Sequence, residues 1–379
     1  VRRSALILAG EPSGDRVAGQ LARELRALDP DLHLAAVGGP SLRAAGAEIL
    51  QDIDELSAMG FVEVVRHLPR LRRLERRLRD FLAAERPSVV VPVDYPGFNL
   101  RIAAHAKRLG IPVIYYVGPQ IWAWGAGRLP RIARAVDRML VVLPFEEEIY
   151  RRAGVAVEFV GHPLLERLEG APGREAARIA LGLPDRAPVL GLVPGSRSQE
   201  VRRILPVMLA TARRLRSRFP DLETVVSVAT SVRAEEYARA GVEDDGGAVR
   251  RMGGGAERIL AAADVLLVTS GTATLEAAVM GTPLAVLYRT STLTWVLGRI
   301  LVRIPRISLV NIVAGEDLVP EFLQGRARPR AIAAWAEEVL ADPQRRRSLA
   351  ERLRGLRSRL GGVGASRRAA EIIIGEARP

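Results

Sequence analysis

Val189-Leu190-Gly191-Leu192-Val193-Pro194-Gly195-Ser196-Arg197-Ser198-Gln199-Glu200 lies near the middle of the chain, and its reading decides the fold. The first half is an uncharged apolar run with β-branched residues, the pattern of a parallel strand buried on both faces. Pro194-Gly195 ends it. Ser196 is placed to cap a helix, and apolar residues recur at helical spacing over 201–215. A strand, a tight glycine turn and a helix N-terminus make an anion site, because free N–H groups and the positive end of the helix dipole face whatever docks there. Arg197 adds a planar fork suited to phosphate. The same residues also read as an ordinary βα turn with a solvated arginine, and the fragment alone leaves both readings open.

The rhythm extends in both directions. Upstream, apolar runs at 4–9, 32–37, 88–93, 112–117, 138–143 and 158–160 read as strands separated by helical patterns. The longest of these patterns, over 68–84, sets Leu71, Leu74, Leu78, Phe81 and Leu82 on one face and arginines on the other. Residues 166–187 contain Gly170-Ala171-Pro172-Gly173 and read as a linker. Downstream the alternation restarts with runs at 189–193, 223–228, 249–251, 264–268 and 283–287, and helical segments run from about 329 to the end. Strands alternating with helices imply parallel, doubly wound sheets. The expectation is an α/β chain of two tandem Rossmann-like domains, 1–165 and 166–345, with a cleft between them, and C-terminal helices over 346–379 packing back across them. Ligands in such sheets sit at the carboxyl ends of strands.

A chain of 379 residues suits two domains, and 48% hydrophobic residues with a mean hydropathy of +0.10 argue against global disorder. No apolar run reaches spanning length, and Leu6-Ile7-Leu8 is too short for a signal-peptide core, so a cytoplasmic protein is expected. The absence of Cys excludes disulfides, thiolate catalysis and Cys-based zinc sites. His33, His67, His105 and His162 are scattered without metal-ligand spacing, so no metal centre is expected. His162, in a Gly-His-Pro turn at a strand end, suits the orienting of a loop. The net charge of +13, almost all from Arg, attracts polyanions: nucleic acid, an anionic membrane or phosphorylated substrates. Aromatics at 4% and the lack of a base-stacking motif count against nucleic acid.

Four further stretches carry candidate chemistry. Gly10-Glu11-Pro12-Ser13-Gly14-Asp15 follows the first strand without the Gly-x-Gly-x-x-Gly spacing of a dinucleotide site. It suits a sugar or a phosphate, or a tight turn capped by Ser13. Asp94 ends an apolar strand. Facing the cleft, with its pKa raised by partial burial, it reads as a working base; as the cap of a helix starting near Gly97, it reads as structural. Trp122 and Trp124, in an aromatic-poor chain, read as the wall of an acyl or sugar pocket, or as core. Ser270-Gly271-Thr272-Ala273-Thr274-Leu275-Glu276 follows another buried strand and opens a helix, a second anion cradle. There Glu276 reads as an acceptor for a ribose diol or as a favourable charge near the helix dipole. The stretch 295–304 mixes apolar residues with arginines as an interfacial helix does, and equally as a core helix with an Arg-rich solvent face.

In order and spacing these stretches resemble the lipid-A-disaccharide synthases, glycosyltransferases of the GT-B fold. The resemblance covers nearly the whole chain. Beyond the motifs above it rests on Asp94-Tyr95-Pro96-Gly97-Phe98-Asn99, Gly118-Pro119-Gln120-Ile121-Trp122-Ala123-Trp124, Leu143-Pro144-Phe145-Glu146, Val160-Gly161-His162-Pro163-Leu164 and Asn311-Ile312-Val313-Ala314-Gly315. One departure is Val310, where the family pattern suggests Pro; this would loosen the loop that meets the nucleotide. The resemblance implies transfer from UDP-2,3-diacylglucosamine to 2,3-diacylglucosamine 1-phosphate in lipopolysaccharide biosynthesis. Inversion at the anomeric carbon would give the β-1,6-linked disaccharide 1-phosphate and UDP, with no cofactor and no metal. It implies Asp94 as base, and Gly195, Ser196, Arg197, Ser270, Gly271, Thr272, Glu276 and Asn311 around UDP. Ser13, Gly14, Asp15, Asn99, Trp122 and Trp124 would surround the acceptor. It also implies peripheral attachment to the anionic cytoplasmic face of the inner membrane, and it is compatible with a homodimer. A UDP-sugar epimerase of the same fold class is the alternative enzyme, and a basic nucleic-acid-binding protein the alternative of another class.

Overall fold

The structure, a computed structural model, describes residues 3–53, 64–122, 126–242, 247–291, 295 and 305–377, and of residues 64–68 only the backbone. The chain forms two compact units: residues 1–163 with 360–379, and residues 164–359.

In the first unit, β1 (Ser4–Ala9), β2 (His33–Gly38), β3 (Glu48–Asp52), β4 (Val89–Val93), β5 (Ile114–Tyr116), β6 (Arg138–Val141) and β7 (Ala156–Phe159) build a seven-stranded sheet in the order β3-β2-β1-β4-β5-β6-β7. Every pairing is parallel. The central strands are Val-, Leu- and Ala-rich and buried throughout, as helices on both faces require. The order reverses between β1 and β4, so the loops leaving their carboxyl ends flank the switch point of the sheet. Within β4, Pro92 breaks the usual exclusion of proline from a central strand. Val90 N–H donates to Pro112 O and Asp94 N–H to Tyr116 O. The alternate position between them is Pro92, which has no N–H, and the β4–β5 pairing is interrupted there.

The helix Val64–Glu85 buries Leu74, Leu78 and Leu82 in this unit's core, with Leu71 and Phe81 half-buried against it. Its Arg72, Arg73, Arg76 and Arg77 are exposed. This is a core helix with an arginine-rich solvent face. The helix Ala365–Glu376 also belongs here. It packs on the helix Pro12–Leu28 and is fixed by Arg368, whose guanidinium donates to Val160 O at 2.7 and 2.9 Å, and by an ion pair between Arg138 and Glu376.

In the second unit, β8 (Val189–Val193), β9 (Glu223–Ser227), β10 (Val249–Met252), β11 (Val265–Thr269), β12 (Leu284–Tyr288) and β13 (Glu321–Leu323) form a six-stranded sheet in the order β10-β9-β8-β11-β12-β13. It too is parallel, and its switch point lies between β8 and β11. The helix Ser198–Arg216 turns Val201, Ile204, Leu205, Met208, Ala212 and Leu215 onto this core, beside the helix Pro329–Ala341. The edge strands β3 and β13 have no counterpart in the sequence reading: both are short, and neither contains a fully buried residue.

The stretch 166–187 is not a linker. It carries the helices Leu164–Glu169 and Arg174–Ala180 and is nailed down by Arg178. That side chain is 1% exposed; it donates to the carbonyls of Ala262, Pro184, Asp185 and Ala187 and pairs with Asp264 at 2.8 Å. The Gly/Pro-rich segment after the second of these helices is ordered because Arg178 answers three of its carbonyls, those of Pro184, Asp185 and Ala187. Likewise, the expected C-terminal segment 346–379 is divided, with the helix Pro343–Gly355 in the second unit and the helix Ala365–Glu376 in the first. Arg178→Met, which keeps most of the volume but none of the hydrogen bonds, is expected to lower unfolding stability by about 3–5 kcal/mol. Denaturant titration measures this, and a loss under about 1 kcal/mol would mean that water replaces the guanidinium.

Candidate active site

The first cluster lies at the carboxyl ends of β1 and β4. After β1, Gly10 and Glu11 lead into the helix Pro12–Leu28. Glu11 holds the N-cap position without a side-chain cap and Pro12 takes the first turn, so Ser13 is an exposed first-turn residue and not the cap. After β4, Asp94 and Tyr95 both adopt left-handed backbone, at φ 49° and 47°. The N-cap of the helix Pro96–Arg108 is Tyr95, not Asp94, and Asp94 is half-buried. The Tyr95 ring lies against Gly10, where an added Cβ would stand 2.2 Å from its Cδ1.

Two residues expected to touch the acceptor have another task. Asp15 is 2% exposed, and its carboxylate accepts from the N–H groups of Gly39 (2.7 Å), Ser41 (2.9 Å) and Leu42 (3.3 Å), capping the helix Pro40–Ala44. Asn99 is buried, and its Nδ2 donates to the carbonyls of Leu8 (3.0 Å), Val93 (3.3 Å) and Asp94 (2.8 Å), tying the ends of β1 and β4 together. Gly14 is buried in the first helical turn, and Trp124 lies outside the described residues.

The sequence reading missed Glu146 as a site residue, although it stood inside a quoted motif. It is 2% exposed at the start of the helix Glu146–Arg152. Its Oε1 accepts from the Trp122 indole at 3.0 Å and its Oε2 from Leu143 N–H at 3.2 Å. Trp122, half-buried, packs edge-on against Phe145 with ring centroids 5.4 Å apart. Burial drives the Glu146 carboxyl up to about 7, hydrogen bonds from Trp122 and from the Leu143 and Val142 backbone oppose this, and the negative charge of Asp94 adds to it. A Glu directly after Leu143-Pro144-Phe145 at a strand end was the available signal.

The second cluster lies at the carboxyl ends of β8 and β11. Gly195 turns the chain at φ 103°. The helix Ser198–Arg216 has Arg197, not Ser196, at its N-cap. The N–H groups of Ser196 and Arg197 are answered by Glu200 Oε2 at 3.1 and 3.3 Å, and Arg197 Nη1 lies 3.5 Å from Glu200 Oε1. The expected anion cradle therefore already holds a carboxylate of its own chain. An added Cβ on Gly195 would meet Glu200 Oε2 at 2.1 Å, so glycine is required by that carboxylate. Burial raises the Glu200 pKa, with Arg197 opposing. Beside this turn, Ser270-Gly271-Thr272 opens the helix Thr272–Met280, with Gly271 and Thr272 exposed. Glu276 is buried and ion-paired with Arg167.

Asn311 is 1% exposed, and its amide is spent within the unit: Nδ2 donates to Val319 O and Glu321 Oε1, and Oδ1 accepts from Val319 N–H. It braces a loop. Val310 is fully buried in the first turn of the helix Leu309–Ala314, whose N-cap is Ser308. A first-turn N–H has no intrahelical acceptor, so Val in place of Pro does not loosen this helix. His162 is pinned through its backbone, donating to Leu360 O at 2.9 Å. Of the stretch 295–304 only Trp295 is described; it lines a cleft of about 540 Å³ with Arg202, Arg203 and Arg289. Among the described residues, no three His, Asp or Glu side chains are grouped to hold a metal ion.

A family model described as lipid-A-disaccharide synthetase matches residues 5–372. The lipid-A-disaccharide synthase of Anaeromyxobacter sp. (strain K) is 46% identical over 376 residues, 98% of this chain and 97% of that one. The enzyme of the same name from Myxococcus xanthus is 43% identical over 369 residues, 97% and 96% of the two chains. Among solved structures, the UDP-GlcNAc 2-epimerase of Neisseria meningitidis bound to UDP-GlcNAc superposes with a TM-score of 0.66 at 13% identity, covering 98% of both chains. The glycotransferase of kitacinnamycin gives 0.66 at 19% identity, covering all of both. At those identities the likeness is one of fold, the GT-B arrangement of two parallel-sheet units.

Glu146 makes stability depend on pH in a stated direction. Between its ordinary value of 4.5 and about 7, the folded protein keeps a proton that the unfolded chain has released. Unfolding free energy from this group therefore falls as pH rises through that window, by about 3 kcal/mol in all, and is flat above it. Glu146→Gln is expected to remove this slope. Denaturant midpoints of both proteins from pH 4.5 to 7.5 test it, and parallel curves would refute the assignment.

Proposed function

The chain belongs to the lipid-A-disaccharide synthase family, and from that premise we propose how its residues divide the work of a glycosyl transfer. It is a glycosyltransferase that takes a nucleotide-sugar donor and a phosphosugar acceptor. In our reading the donor is UDP-2,3-diacylglucosamine and the acceptor 2,3-diacylglucosamine 1-phosphate. The first unit binds acceptor and the second donor.

The observation that carries this reading is the half-buried Asp94 at the switch point of the first sheet. Asp94 takes the proton of the acceptor's 6-hydroxyl as that oxygen attacks the anomeric carbon from the face opposite the leaving group. The C–O bond to the diphosphate breaks, UDP leaves with the electron pair, and the configuration inverts. Charge grows on the leaving diphosphate. Arg197 and the N-terminus of the helix Thr272–Met280 are suited to meet it, both at the switch point of the second sheet. Glu276, oriented by Arg167, offers its second oxygen to the ribose diol. Ser13 and Trp122 line the acceptor side, while Asp15, Asn99 and Asn311 hold the loops that carry the contacts.

Asp94→Asn keeps size and cannot take the proton. It is expected to lower turnover by roughly 10²–10⁴-fold with little change in melting temperature. Turnover of the parent is expected to persist in a chelator. Product analysis belongs to the same assay, since a transferase joins two sugars and an epimerase does not. If Asp94→Asn turns over normally, the base lies elsewhere; if a chelator abolishes turnover and a divalent ion restores it, the metal-free mechanism is wrong.

Acylated substrates require access to a bilayer. No helix among the described residues is long and apolar enough to cross one. The exposed arginine face of the helix Val64–Glu85 supports electrostatic attachment to an anionic leaflet, with the leucines kept inside. Binding to vesicles rich in anionic lipid is expected to exceed binding to neutral ones, to weaken with salt, and to fall when Arg72, Arg73, Arg76 and Arg77 are replaced by Glu. Equal flotation with neutral and anionic vesicles at low salt would rule it out.

A further inference from the structure

The loop carrying Asp94 is held in a backbone conformation that it would not adopt by itself. Two successive non-glycine residues in the left-handed region are unfavourable, and they persist only where surrounding bonds over-determine them. The sheet supplies little of that hold. Pro92, two residues earlier, interrupts the pairing with β5, and the bond that follows, Asp94 N–H to Tyr116 O, is long at 3.3 Å. Three side-chain features take over. Asn99 Nδ2 donates to the carbonyls of Leu8, Val93 and Asp94. The Tyr95 ring lies on the bare Cα of Gly10. The Tyr115 hydroxyl donates to Asp94 O at 2.7 Å.

Tyr115 sits in the middle of β5, fully buried within the apolar cluster of the first unit. Phenylalanine would fill the same space, and a hydroxyl in such a place is tolerated only with a partner. It donates to the carbonyl of the residue that the proposed mechanism makes the base. We propose that Tyr115 is a positioning residue for the transfer: by holding the Asp94 carbonyl it fixes the left-handed pair, and so aims the Asp94 carboxylate at the acceptor hydroxyl. This rests on Asp94 being the base. The hydroxyl acts on the rate and not on acceptor affinity, because it touches the loop from the core side.

The test is a double-mutant cycle in kcat. Tyr115→Phe is expected to lower kcat about tenfold, with KM within about twofold and a melting temperature within a few degrees of the parent. In an Asp94→Asn background, the same change is expected to have no further effect on kcat, because there is no base left to aim. Gly10→Ala, which pushes the Tyr95 ring from the other side, is expected to lower kcat with the same loss of effect in that background. It carries the test if Tyr115→Phe yields no folded protein. An unchanged kcat in a folded Tyr115→Phe protein, or equal losses in both backgrounds, overturns the positioning role. If Asp94→Asn alone leaves kcat intact, the base assignment has failed instead, whatever Tyr115→Phe does.

Discussion

A parallel sheet covered by helices on both faces can present polar chemistry only at its ends. Its strands are apolar throughout, and its side-chain surface is consumed by packing. The loops at the carboxyl ends are the places where helix N-termini, free N–H groups and charged side chains converge, and a gap opens only where the strand order reverses. Both units obey this constraint. In the first, the reversal falls between β1 and β4, which deliver Gly10 and Asp94; in the second, it falls between β8 and β11, which deliver Arg197 and Ser270-Gly271-Thr272. Four of the motifs that mark the family are thus the loops that topology leaves open to a ligand.

The same constraint explains what was legible in the sequence. The interior strands were readable because burial on both faces forces continuous apolar runs, whereas β7 and β10, edge strands with exposed residues, were found only through the alternation of strands and helices. The other two edge strands, β3 and β13, were missed, since a half-buried edge does not demand apolar residues at every position. The family and fold inferred from the order of motifs are borne out by relatives of 43–46% identity. Individual side chains were read less well. Asp15, Asn99 and Asn311 sit inside recognisable motifs, yet each is buried and bonded to backbone. A short polar side chain beside a ligand loop and one within the ligand site leave the same letter in the sequence. Only the hydrogen-bond partners distinguish them.

Carboxylates show the distinction most clearly. Glu200 fills the N–H nest after β8, where the sequence suggested an incoming anion. A nest of N–H groups attracts negative charge from whichever source is nearer. Glu200 therefore keeps the Gly195 turn ordered, and in the proposed reading a diphosphate would find its charge partners in Arg197 and the neighbouring helix N-terminus. Glu146 is the reverse case, an acid enclosed by Trp122, Phe145 and the Leu143 backbone and pushed toward neutrality by burial and by Asp94.

Arginine, which supplies nearly all of the positive charge, is used in three distinct ways. Arg178 and Arg368 are structural: each guanidinium gathers several carbonyls that no strand or helix satisfies, a task for which lysine lacks the planar fork. Arg167 and Arg197 face carboxylates at the ends of the second sheet, where nucleotide phosphate and ribose are proposed to lie. Arg72, Arg73, Arg76 and Arg77 face solvent on a helix whose leucines point inward. A surface of that kind supports long-range attraction without an exposed apolar patch, so docking would be reversible and sensitive to salt. That would suit the acylated substrates proposed above: a bilayer would hold the acyl chains, and each unit would present its switch point to a sugar.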